Sequence, residues 1–167
     1  MLRIETERLI IRHFTPADWK AVQALAIDKE THKRDPHDPP WPISDDEYKG
    51  FAEYLAKMTD KFFAVCLKRG QTLFGLLAFN GIDTNKQLEL GYQMPLKYQD
   101  NEHDKEALES IIDFAFEHKD ILSIKTRTNS EWTEQLAPLK SFGFTPIKDD
   151  PGNLGITKAV WVKKVQF

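Results

Sequence analysis

Residues 87–108, QLELGYQMPLKYQDNEHDKEAL, decide how the rest of the chain is read. Leu88 and Leu90 alternate with Gln87 and Glu89, the period of a strand with one buried face. Pro95 ends that strand because it has no N–H to give to a ladder. A polar loop follows, and then Leu108, Ile111, Ile112 and Ala115 recur at helical spacing with Glu109, Asp113 and Glu117 on the wet side. This predicts a helix over residues 104–118. A strand that feeds a helix through such a loop presents backbone N–H groups and a helix N-terminus, where an anion can dock. The loop here nevertheless carries Asp100, Glu102 and Asp104.

Upstream, residues 62–68 and 72–82 read as two more strands. With turns at Arg69-Gly70-Gln71 and Asp83-Thr84-Asn85-Lys86, they make an antiparallel meander with residues 87–94. Downstream, residues 121–128 alternate, with Leu122, Ile124 and Thr126 on one face and Ser123, Lys125 and Arg127 on the other. A strand, helix, strand crossover implies a parallel pair. At the N-terminal end, residues 2–14 read as one edge or near-edge strand. Thr15 then caps a helix with Pro16 in its first turn, and Trp19, Val22, Leu25 and Ala26 form its apolar stripe.

Residues 35–46, DPHDPPWPISDD, hold four prolines around Trp41 and predict a stiff irregular loop. Ser44 or Asp45 caps a second helix with Tyr48, Phe51, Ala52 and Leu55 inward, ending near Thr59. Trp132, Leu136, Leu139 and Phe142 mark a last helical segment, short, kinked or late-starting because of Pro138. Residues 144–148 and 156–165 close the chain as a hairpin, with Pro151-Gly152 suited to a type II turn. The fold class is therefore α+β, a mixed α/β arrangement with a central, mostly antiparallel sheet flanked by about four helices. The 167 residues suit a single domain, 1–167.

A net charge of −3 with no Lys/Arg-rich run argues against nucleic acid and membrane surfaces as partners. Cys66 is the sole cysteine and sits in the apolar run FFAVCL, which predicts a buried core residue and a reducing, cytoplasmic setting. No stretch is apolar for long enough to span a membrane. His32 and His37 with Asp35 and Asp38 lack a third histidine, and no metal site is expected.

The order of elements, together with IETERLIIRHFTPADW at 4–19, PPWPISDDEYKGF at 39–51, LELGYQMPLKY at 88–98, EALESIIDFAFE at 106–117 and LKSFGF at 139–144, resembles the GNAT superfamily of N-acetyltransferases. The resemblance is to the branch similar to the ribosomal-protein acetyltransferases. It implies an enzyme that uses acetyl-CoA as co-substrate and acetylates an amine, either a small molecule or a peptide or protein N-terminus, and it leaves a homodimer open. It also implies that the strand ending in Gly91-Tyr92 splays from its parallel neighbour. The backbone of Tyr92, Gln93, Met94 and Leu96 would then hold the pantetheine arm.

In the family a glycine pattern resembling Trp-Gly-Lys-Gly-Tyr-Ala wraps the pyrophosphate. Here that segment is Gln99, Asp100, Asn101, Glu102, His103 and Asp104, with carboxylates in place of both glycines. Two unit charges about 6 Å apart repel by roughly 0.7 kcal/mol in water and roughly 3 kcal/mol at an effective dielectric near 20. Lys97 and Lys105 offset part of this. Two readings stay open: the loop still receives the phosphates, or Asp100, Asn101 or Asp104 caps the helix itself in a degenerate loop, and the protein is a catalytically inactive binding or regulatory module. The family's Asn and Ser near the thiol end of the cofactor are replaced by Trp132 and Gln135.

Glu89 is a candidate general base for the amine, or a solvent-facing strand residue. Tyr92 is a candidate proton donor to the departing thiolate, or a packing residue with a wet hydroxyl. Trp41 either pins the proline-rich loop or stacks on the acceptor.

Overall fold

Strand β1 (Arg3–Glu5) turns into β2 (Leu9–Arg12), so residues 2–14 form two strands where the alternation suggested one. Thr6 makes the break. Its backbone N–H donates to Leu9 O at 3.0 Å, and its hydroxyl accepts from Leu9 N–H at 2.9 Å, closing a turn that hydropathy alone does not mark. Leu9, Ile10 and Ile11 are all buried, so β2 is covered on both faces and lies between β1 and β3 (Phe62–Leu67).

The computed structural model describes residues 2–32, 44–99, 102–129, 138–151 and 157–164. Contacts group the chain into two units, 1–78 with 92–107 and 79–91 with 108–167. Strands β4 (Leu73–Ile82) and β5 (Gln87–Gln93) and helix α4 (His103–His118) each run from one unit into the other along the chain.

In the first unit the strand order is β1-β2-β3-β4, all antiparallel. Helices α1 (Trp19–Thr31) and α2 (Asp45–Lys57) lay Val22, Leu25, Ala26, Tyr48 and Leu55 into one core with Ile10, Ala64, Cys66, Leu76 and Ala78. Pro16–Asp18 forms a 3-10 turn ahead of α1. Ser44 caps α2 as a capping box with Glu47, whose carboxylate accepts from Ser44 N at 2.9 Å. Burial pushes the Cys66 thiol up, as suits a core residue.

Asp18 links β2 to the start of α1. Its two carboxylate oxygens accept from the two terminal nitrogens of Arg12, each at 2.9 Å, and one oxygen also accepts from Thr15 N at 2.7 Å. Burial alone would raise this carboxyl, but the bonds from Arg12 and Thr15 outweigh it and hold it below the usual carboxylate range. A carboxyl lowered on folding contributes stability that is present above its unfolded value and lost as pH falls through the folded one. Urea midpoints are therefore expected to fall from neutral pH into the acid range. Asp18→Asn should remove about 1.5–3 kcal/mol at neutral pH and flatten this dependence. An unchanged acid slope in the variant would assign the effect to other carboxylates.

In the second unit the order is β4-β5-β6-β8-β7, with β6 (Ser123–Asn129), β7 (Thr145–Pro151) and β8 (Thr157–Lys164). β5 and β6 are parallel, as the crossover requires, while β6–β8 and β7–β8 are antiparallel. Leu108, Ile111, Ile112 and Ala115 of α4 are buried as their spacing predicts. Leu122 departs from the expected pattern: β6 begins one residue later, and Leu122 is exposed.

Residues 138–141 are helical, and Gly143 follows at φ +82°. That left-handed residue lets Phe144 N–H reach back to Leu139 O at 3.0 Å, a helix-ending geometry that accounts for the word LKSFGF. The remainder of the expected last helix, and Gly152 of the expected type II turn, lie outside the described residues. Pro151 itself still pairs with Thr157 in the ladder. Among the described residues no helix is long and apolar enough to cross a membrane, and no three metal-ligating side chains cluster.

Candidate active site

Within the first unit, the segment from Tyr92 to Glu106 is built on a close approach of backbones. A Cβ at Gly75 would lie 3.2 Å from Val65 Cβ, 3.2 Å from Met94 Cγ and 3.5 Å from Gln93 O. Gly75 therefore sets how near Gln93 and Met94 can come to β4. The register slips between Val65 and Cys66, which pair with Gly75 and Leu73, and Phe74 is the extra residue. The ring of Phe74 sits 4.2 Å from that of Tyr98 and 6.0 Å from that of His103.

Past Pro95 the chain forms one helical turn, α3 (Leu96–Gln99), where the sequence suggested irregular loop. Leu96 thus stands at the start of a helix and not on the extended strand. Gln99 is its last residue, and its Nε2 donates to Met94 O at 3.0 Å, tying the end of the turn back to the strand. Gln99 Oε1 and His103 Nδ1 are buried and have no hydrogen-bond partner among the described residues. Met94 is buried, while Tyr92 and Gln93 are half-buried. Burial pushes the Tyr92 hydroxyl well above its ordinary value, and the Asp104 carboxylate adds to the effect. That phenol stays protonated through the neutral range.

Glu102 has φ +62°, the left-handed region that glycine enters freely and other residues enter at a cost of roughly 1–2 kcal/mol. It occupies the position of the second glycine of the pattern, and its backbone takes a conformation that a glycine there would enter freely. His103 and Asp104 begin α4, with Asp104 buried inside the first turn. Asp104 lies within the helix and does not occupy the capping position ahead of it. Asp100, Asn101 and Trp41 lie outside the described residues, as do Trp132 and Gln135.

The sequence reading missed a clamp on that first turn. Glu106 accepts from Arg8 N at 2.8 Å, from Arg8 Nε at 2.6 Å and from the Thr6 hydroxyl. Burial would raise this carboxyl, but Thr6 and Arg8 together hold it below its usual range. Glu102 also has Lys105 Nζ at 3.7 Å. The acidic character of the segment is thus partly neutralised by a cation from the far end of the chain. Gly75, an isolated glycine within a strand, was the available signal for the close approach; the clamp had none.

Within the second unit, the β5–β6 register runs Gln87↔Ser123, Leu88↔Ile124 and Glu89↔Lys125. Glu89 lies on the face opposite buried Leu88 and Leu90. It is bridged to two cations: Oε2 is 3.4 Å from Lys125 Nζ, and Oε1 is 3.4 Å from Arg127 Nε. It is therefore neither isolated nor simply wet. Both distances exceed the 2.7–2.9 Å or so of a tight charge-assisted bond, leaving the carboxylate able to accept a further donor.

Among the described residues, antiparallel strands, one parallel pair and the strand–turn–helix element define a mixed α/β fold. The fold is shared with a GNAT-family acetyltransferase from Bacillus anthracis at 21% identity and a TM-score of 0.83, with 98% of each chain covered. It is shared too with the ribosomal-protein-S5-alanine acetyltransferase from Vibrio fischeri (15% identity, TM-score 0.84, 98% and 97% of the two chains). A third similar structure is RimL, a ribosomal L7/L12 α-N-protein acetyltransferase in complex with coenzyme A (15% identity, TM-score 0.83, 98% of each chain). In sequence, the uncharacterized N-acetyltransferase YnaD of Bacillus subtilis (strain 168) is 24% identical over 142 residues, 85% of this chain and 82% of that protein. The acetyltransferase (GNAT) domain family matches residues 8–145, and the chain belongs to it.

Proposed function

We propose that the protein is an acetyl-CoA-dependent N-acetyltransferase that acts on an amine of a small molecule or of a protein N-terminus. The observation that carries this is the left-handed backbone of Glu102 just ahead of α4, a conformation that a glycine of the family's phosphate-wrapping pattern would enter freely at that position. Family membership and the coenzyme A complex of RimL support the choice of co-substrate. The thioester supplies an activated acetyl group. The backbone of Tyr92, Gln93 and Met94 holds the pantetheine arm, and the start of α4 takes the phosphates. Glu89 takes a proton from the substrate ammonium, and the free amine so formed attacks the thioester carbonyl. As the C–S bond breaks, the Tyr92 hydroxyl delivers a proton to the departing sulfur while the new amide nitrogen gives up its extra proton to solvent. Orientation of amine and thioester contributes most of the rate.

Carboxylates at Glu102 and Asp104 favour a second reading, a binding module that has lost the transfer reaction. A calorimetric titration with acetyl-CoA separates the two, since no binding at millimolar ligand would exclude the enzyme. On the first reading, Glu102→Gly should raise affinity several-fold because it removes a negative charge beside the phosphates, while relief of the left-handed strain, roughly 1–2 kcal/mol, should appear as added stability. Unchanged affinity would show that Glu102 does not face the phosphates.

A further inference from the structure

Arg8 is held unusually well for a surface arginine. Its backbone N–H and its Nε both donate to the Glu106 carboxylate, at 2.8 and 2.6 Å, and Thr6 completes the set from the same turn. Glu106 is in the first turn of α4, where its own N–H closes an early helical bond to Glu102 O at 3.0 Å. The guanidinium is thereby fixed beside the start of that helix, whose first N–H groups have no intrahelical acceptor. It lies near enough to feel the charge of Glu102. Its side chain is 42% exposed, and among the described residues its hydrogen bonds run from the backbone N–H and Nε, with none from the two terminal amino groups.

A planar guanidinium engaged on its Nε edge still offers a fork of donors that matches phosphate geometry, and a side chain already fixed loses little further freedom on binding. We infer that Arg8 is a ligand-contacting residue whose terminal amino groups bind a phosphate of the acyl-CoA co-substrate at the start of α4, with Glu106 and Thr6 orienting it. This rests on the acetyl-CoA reading above. It also adds to Lys97 and Lys105 a guanidinium from outside the carboxylate-bearing segment: this phosphate-facing charge comes from the β1–β2 turn.

The test is calorimetric titration of wild type, Arg8→Gln and Arg8→Lys with two probes, coenzyme A and pantetheine, which shares the arm but has no phosphate. Arg8→Gln should weaken coenzyme A binding roughly tenfold to a hundredfold, the loss expected for a charge-assisted bond, and leave pantetheine binding unchanged. Arg8→Lys keeps the charge without the fork and should fall between the two. It also supplies the measurement if the glutamine variant fails to fold. The wild-type affinity for coenzyme A should drop more steeply with salt than that of Arg8→Gln. Equal losses for both probes would assign Arg8 a purely structural part in anchoring α4, and no loss for either would remove it from the site; both overturn the inference while the acetyl-CoA reading stands. Wild type that binds neither probe overturns that reading and this inference together.

Discussion

Glu89→Gln is expected to lower kcat by roughly 10²- to 10⁴-fold, the range in which a positioned general base contributes. The substitution preserves shape and removes the charge that would accept the ammonium proton. Affinity for acetyl-CoA should change little, because the carboxylate is assigned to the amine and not to the cofactor. The readout is release of the coenzyme A thiol in the presence of an amine acceptor. The competing account is a strut. Glu89 stands directly opposite Lys125 on the parallel rung and is bridged to Arg127 as well, so it could serve only to hold β5 to β6. A strut predicts a lower urea midpoint with kcat within a few-fold of wild type, and that result would sink the base assignment.

Gly75→Val should lower stability and cofactor affinity together. Even the first added carbon would sit 3.2 Å from both Val65 Cβ and Met94 Cγ. Met94 can rotate away in part, but Val65 is fixed in β3 and completely buried, so the strain passes to the backbone of Gln93 and Met94. Overpacking of this kind costs about 1–3 kcal/mol. Because those two residues are the ones assigned to the pantetheine arm, the KM for acetyl-CoA should rise together with the loss of stability, and kcat at saturation should be less affected. Urea unfolding and a KM measurement on one preparation check both effects. A destabilised variant with wild-type KM would detach Gln93 and Met94 from cofactor binding.

The parts of the fold that could be read from the chain are those in which one local period decides the structure. Phe62–Leu67, Leu73–Ile82 and Gln87–Gln93 followed from apolar runs separated by turn residues, and α4 followed from spacing of three and four. Failures came where a side chain acts on the backbone or on a distant residue. Thr6 breaks the N-terminal strand with its hydroxyl, leaving the apolar pattern intact on either side. The single turn of α3 is too short to show a period, and it is fixed by Gln99 bonding back to Met94.

In the candidate site, Asp100, Glu102 and Asp104 read as three equivalent negative charges. The structure distinguishes the two that it describes: Glu102 is exposed in a left-handed turn, and Asp104 is buried beside Tyr92. Charge alone, counted along a sequence, carries no information about burial. The cation that balances the segment was present in the quoted word IETERLIIRHF, yet its partner Glu106 lies 98 residues further on.

That separation affects how the chain acquires its structure. Thr6 and Arg8 are made early and stay solvated until residue 106 has been synthesised and the first turn of α4 exists, so the contact closes a loop of about a hundred residues. The entropic cost of such a closure grows only as the logarithm of loop length, but it must be met before any of the three bonds contributes. Long-range contacts of this kind slow folding more than they weaken the folded state. The N-terminal turn and the helix start are thus completed together, and the arginine reaches its final orientation only once the segment it serves has formed.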